Sequence, residues 1–204
     1  MVLLHPTYFS PISQYVAIAK SNEIVFEVCD NFQKQTFRNR CYIYTANGKH
    51  LLNVPTQHTK GIKQLSKEVK IDYKDNWNKL HIKTLQTAYN SSPFFEFYID
   101  DLLPILTKKY TYLLDLNLSC HEFIMDALQL KIPFTKTSEF QKKTDLKDLR
   151  RLALAKTSED FNFKKYFQVF SLDQGFISNL SILDLLFMEG PNTLNYLETQ
   201  NQIL

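Results

Sequence analysis

Two arginines flank an asparagine in Phe37-Arg38-Asn39-Arg40, just before a strand-like run. A guanidinium is a rigid fork of donors that matches a carboxylate or phosphate through two parallel hydrogen bonds. Arg38, Asn39 and Arg40 are therefore candidates to hold an anionic substrate group. The competing reading is geometric: alternation along a strand sends Arg38 and Arg40 to one solvated face. His5 follows the apolar run Val2-Leu3-Leu4. It would end a strand, where α/β proteins build their sites. His81 lies in the apolar stripe of a helix that begins near Trp77, and there the competing reading is a hydrogen-bonded core residue. Either imidazole could act as the general base that deprotonates an acceptor amine or hydroxyl. Tyr8, in the loop after His5, could offer a ring and a hydroxyl to the same substrate.

Other chemistry is excluded by spacing. The five histidines never stand at HxH, HxxxH or HExxH spacing, and the three cysteines form no CxxC, so no metal site is expected. The chain has 4 glycines, and no two form GxGxxG, GxxxxGK[ST] or GxSxG. Standard dinucleotide loops, Walker loops and nucleophile elbows are thereby set aside, and no cofactor is implied. Gly61, in a polar loop over 57–64, is the glycine left for ligand contact. No nucleophile–base pair or carboxylate pair can be read locally, so any catalysis must use groups brought together by folding.

These groups need a scaffold. The 204 residues suffice for one domain that buries its core without staples. Residues 2–4, 23–29, 41–45, 50–54 and 132–135 read as strands, with further candidates at 67–72 and 165–170. Asn47-Gly48 between two β-prone runs is a strong hairpin signal. Helical periodicity covers 13–20, a segment capped by Asp75 or Asn76 with its apolar face from Trp77 to Ala88 and ended by Pro93, and 94–107, 113–130, 145–155 and 180–188. Ser178 or Asn179 is the expected cap of the last helix. The expectation is an α/β single domain over 1–204, with a mixed sheet, a β-hairpin insertion and helices packed on the sheet.

A net charge of +3 is too small to imply nucleic acid. The basic stretch 131–165 reads as solvated surface, with a polyanion patch as its alternative. From Tyr166 onward there is no Lys or Arg. An acidic small ligand is then best sought in the first third of the chain, where basic residues alternate with aromatics. Unpaired, widely spaced cysteines suggest reduced thiols and a cytoplasmic protein. The opening MVLLHPTYFSP lacks a basic n-region, and no run approaches the roughly 18–20 apolar residues of a membrane span.

Several stretches resemble the WbqC-like family in its short form. They are TFRNRCYIYTANGKHLLNVP, IDYKDNWNKLHIKTLQTAYNSSPFFEFY, LLDLNLSCHEFIMDAL and GFISNLSILDLLFMEGP. HPTYFSPISQYVAIAK is similar to the family's opening, with His5-Pro6 where Gln-Pro is usual and Gln14-Tyr15 where Gly-Tyr is usual. The resemblance carries over Asn39, Arg40, Asn47, Gly48, Pro55, Trp77, His81, Tyr89, Pro93 and Phe94. It implies a bacterial transferase of surface-polysaccharide or O-antigen biosynthesis that passes glycine or a similar acyl group to a sugar. The partners so implied are small molecules: a sugar or sugar phosphate, and an acyl donor. Arg38, Asn39, Arg40, Tyr8, Trp77 and Tyr89 would then contact substrate, with His5 and His81 as the catalytic candidates. The alternative is a non-enzymatic carbohydrate-binding or assembly module, marked by a pocket of exposed aromatics without histidine or arginine.

Overall fold

The computed structural model describes residues 1–57, 63–156 and 161–201. His58 and Gly61 lie outside them. In chain order the elements are β1 (Val2–Leu4), α1 (Ile12–Ala19), β2 (Ile24–Phe26), β3 (Arg40–Thr45), β4 (Gly48–Asn53), α2 (Trp77–Tyr89), α3 (Phe95–Thr107), α4 (Leu113–Ala127), β5 (Phe134–Lys136), β6 (Lys147–Asp148), α5 (Ser171–Gln174), α6 (Ile182–Glu189) and α7 (Thr193–Thr199).

Val2-Leu3-Leu4 is buried along its whole length, the pattern of a strand covered on both faces of a parallel sheet. β1 pairs in parallel with β2, Val2 opposite Ile24 and Leu4 opposite Phe26. β2 pairs in parallel with β5, and β1 with β6. The order is β5-β2-β1-β6. The chain thus steps outward from β1 through β2 to β5, then returns to lay β6 on the other flank of β1. That reversal puts a topological switch point between β1 and β6, where open α/β sheets bind ligands beyond the strand ends.

The α/β class holds, with one refinement. The four-stranded sheet is wholly parallel, and the hairpin β3–β4 is a separate two-stranded sheet rather than a mixed extension of it. Its turn closes with Thr45 opposite Gly48. Gly48 takes φ +91°, while Asn47 is not among the positive-φ residues. The helices supply the rest of the core. α6 is buried from Ile182 to Met188, which fits a helix apolar on nearly all sides. α1 is buried from Ile12 to Ile18. One cluster of buried side chains runs from Val2 to Leu197.

Three segments depart from local expectation. Residues 145–155 are not one helix but β6 followed by a 3-10 turn over Arg150–Ala153, because pairing to β1 captures Lys147 and Asp148. Residues 67–72 form no strand beside the hairpin. Ser66–Glu68 is a 3-10 turn, and the backbone then bridges Lys70 to Tyr112 and Ile71 to Thr56. Residues 165–170 have strand-like alternation but pair with no strand. Gln168 instead uses both ends of its amide on the backbone of Ile177. The cap of α6 also shifts. Ser181 accepts from the Leu183 amide, while Asn179 takes φ +53° and accepts from the Ser13 amide. Gly190, just past α6, has φ +50°, and a Cβ there would lie 2.5 Å from the Phe94 ring.

Candidate functional site

The four parallel strands deliver their next residues to one end of the sheet. β1 is followed by His5, β2 by Glu27 and β5 by Thr137, and Arg150 comes two residues after β6. These groups touch. The buried Glu27 carboxylate accepts from Thr137 Oγ1 at 2.9 Å and from the Cys29 amide at 2.8 Å, and lies 3.4 Å from Arg150 Nη1. Arg150 clamps Asp148 in a forked pair, with Nε to Oδ1 at 2.9 Å and Nη2 to Oδ2 at 2.6 Å.

Arg38 enters from the segment ahead of β3 and is 4% exposed. Its guanidinium meets Asp30 on both carboxylate oxygens, at 2.7 and 3.2 Å. Nη1 also donates to Ser66 Oγ at 2.7 Å. Ser66 in turn donates to Asp30 Oδ1 at 2.6 Å. Nη2 lies 2.9 Å from His5 Nε2. A guanidinium has no acceptor, so this contact requires the lone pair of His5 on Nε2 and its proton on Nδ1. Nδ1 faces the Glu27 carbonyl oxygen at 3.3 Å. Both ring nitrogens are thus engaged. Burial, then the Arg38 charge, pushes His5 down from 6.5 to about 4, against the opposing pull of Asp30. The imidazole is neutral at pH 7.

Above this floor lies a cleft of about 320 Å³ lined by His5, Asp30, Arg38, Phe140, Arg150 and Arg151. It sits at the β1–β6 switch point. The volume is at the lower end of the range for small-molecule sites. Phe140 is 51% exposed and carries the Arg150 guanidinium 5.4 Å from its ring centroid.

His5 and Arg38, two of the sequence candidates, therefore meet. The others lie elsewhere. Asn39 is spent on the backbone turn into the hairpin, donating to Val54 O and Asn53 Oδ1. Arg40 stands opposite Asn53 in the hairpin ladder, half-buried. Tyr8 is fully buried, and its hydroxyl lies 2.9 Å from His81 Nδ1. The His81 ring packs against Trp77 at 5.0 Å, and burial lowers it to about 4. Tyr89 is fully buried and donates to Asp184 Oδ2 at 2.6 Å, while Tyr166 donates to Oδ1 at 2.6 Å. His81, Trp77 and Tyr89 are thus core groups. Asp30, Glu27, Ser66 and Arg150 carried no local motif. The one sequence signal for them was the strand-end rule that singled out His5.

Among the described residues, no group of three or more His, Cys, Asp or Glu is arranged to hold a metal ion. No described helix is long and apolar enough to cross a membrane. The profile of the WbqC-like protein family matches residues 6–164, from the loop after β1 to beyond the strand-end cluster. No curated protein and no solved structure matches the chain.

Proposed function

The chain belongs to the WbqC-like protein family, and on that premise we propose that it is a transferase of bacterial surface-polysaccharide or O-antigen biosynthesis, with the strand-end cleft as its active site. The observation that carries this reading is the convergence of His5, Asp30, Arg38 and Arg150 on one cleft at the sheet's switch point. The substrates are an acyl donor such as an activated glycine and a sugar bearing an amine or hydroxyl.

The arginines give the cleft a positive wall for the anionic part of the donor or a sugar phosphate. His5 supplies the base. Its neutral ring is the form that can take a proton. At rest the Nε2 lone pair is occupied by Arg38. An anionic group in the cleft competes for Arg38 Nη2 and so frees Nε2. The acceptor's proton then passes to Nε2 as its nitrogen or oxygen bonds to the acyl carbon, and the donor's leaving group departs with the electrons of the broken bond. Phe140 offers an apolar wall to the sugar or acyl chain.

The test is calorimetry and co-crystallisation with sugar phosphates and aminoacyl donors, on the wild type and on Arg150→Gln and His5→Ala. Ligand density should fall in the cleft. Arg150→Gln should weaken anionic ligands about tenfold, and His5→Ala should bind ligand but transfer nothing. Ligand seated elsewhere, or full transfer by His5→Ala, would overturn the assignment.

A further inference from the structure

A second concavity stands apart from the strand-end cleft. It is an open groove of about 590 Å³ between α3 and α4. It shares no lining residue with the cleft, so it stands whether or not the transferase reading does.

Its lining has a definite chemistry. Phe97 is 72% exposed, an unusual cost for a large ring, and sits edge-on to Tyr98 with centroids 4.8 Å apart. Tyr98 is 4% exposed and lines the groove. Its ring packs into the core, while its hydroxyl is not sealed from solvent and makes no protein hydrogen bond among the described residues. That hydroxyl is open to water, so a ligand hydroxyl in the groove replaces water as its hydrogen-bond partner. Asp101, Glu122 and Asp126 add three carboxylates, none of them in an ion pair among the described residues. Lys108 also lines the groove, its ammonium 4.9 Å from the centroid of the Tyr110 ring. Neither histidine nor arginine lines it.

We propose that this α3–α4 groove binds a sugar ring, neutral or amine-bearing. The C–H face of a pyranose carries partial positive charge and meets the negative face of an aromatic ring, here Phe97. Carboxylates are pure acceptors and suit adjacent hydroxyls, while the Tyr98 hydroxyl completes one further hydrogen bond. Three carboxylates against one ammonium repel an acidic sugar and favour an amine. The groove thereby reads both shape and charge: hexosamine and neutral hexose are taken, uronate is refused.

The experiment is saturation-transfer NMR with calorimetry on the full chain, using a glucosamine disaccharide, maltose, a galacturonate disaccharide and 1,5-diaminopentane as probes. The first two should bind, and the uronate at least about tenfold more weakly. Phe97→Ala should lose about tenfold, and Tyr98→Phe about fivefold. Phe97 is exposed, so its variants should fold, and Phe97→Leu serves as a second variant that keeps apolar bulk and removes the ring. Leu172→Ala, at an exposed position that lines neither the groove nor the cleft, should change nothing. The proposal falls if neither neutral nor amino sugar binds, if the uronate binds equally, or if the Phe97 variants and Tyr98→Phe all bind like wild type. A diamine that binds as well as the glucosamine disaccharide also overturns it, since the groove would then select charge alone.

Discussion

Arg38 donates through Nη2 to His5 Nε2 across 2.9 Å, and the same guanidinium grips both oxygens of Asp30. One arginine therefore links a buried carboxylate to a histidine and dictates which ring nitrogen carries the proton. Asp30→Asn would leave Arg38 buried without a counter-charge. The expected loss is about 3–5 kcal/mol, the usual cost of removing one partner of a buried pair. Urea unfolding checks it, and a loss below about 1 kcal/mol would show that water reaches Arg38 freely.

Acid should unfold the protein early. Burial lowers His5, His81 and His121 each to about 4, against about 6.5 when unfolded. For a depressed histidine the stabilisation is complete above the unfolded value and is lost as pH falls from about 6.5 toward 4. Each such histidine adds about 1.4 kcal/mol per pH unit to the slope. Asp184, raised by burial, has the opposite sense over the carboxylate range. Urea midpoints between pH 7 and 4.5 should fall steeply, and His121→Phe should flatten the fall. His121 Nε2 is sealed without a partner, and its ring packs on Phe26 and Phe134; phenylalanine keeps that packing but takes from the buried Tyr15 hydroxyl its partner Nδ1 at 3.3 Å, a pH-independent loss that leaves the slope as the readout. An unchanged slope would mean that His121 titrates normally.

Tyr8→Phe removes the hydroxyl that meets His81 Nδ1 and leaves that nitrogen buried. A cost of about 1–3 kcal/mol is expected, with ligand affinity at the strand-end cleft unchanged. Thermal unfolding and calorimetry on the same variant separate the two. A lost ligand with stability intact would return Tyr8 to the substrate-contacting set.

Gly190→Ala forces a side chain onto φ +50° and into the Phe94 ring. The expected destabilisation is about 1–3 kcal/mol, read as a lowered urea midpoint. Gly175→Ala, where nothing lies within 4 Å, bears only the backbone cost and should lose less. Equal losses would show that Phe94 yields without penalty.

The sequence was most legible where the decisive forces were local. Asn47-Gly48 announced the hairpin through turn chemistry, and the Trp77 to Ala88 stripe announced α2. It was least legible where a distant partner decided. The run from Asp145 to Ala155 has helical periodicity, yet β1 claims Lys147 and Asp148 from the far end of the chain. The site follows the same division. His5 was visible as a strand end and Arg38 as part of an arginine pair. Asp30 and Ser66 gave no sign, because they matter only through a guanidinium that folding brings to them. His81 showed a real apolar stripe, and its partners Tyr8 and Trp77 made that stripe core rather than cleft.

The position of β1 between β2 and β6 also constrains the order of assembly. Val2 finds Ile24 within a short span of chain, but its other partner, Lys147, emerges from the ribosome much later. During synthesis β1 therefore presents a bare, apolar edge on the side where the switch-point cleft will form, and contacts of such long sequence separation slow folding. The strand that places His5 thus gains its second partner from the last of the four sheet strands in chain order. The cleft comes into being only when the sheet closes, so a nascent chain is without its site until Lys147, Asp148 and Arg150 have been made.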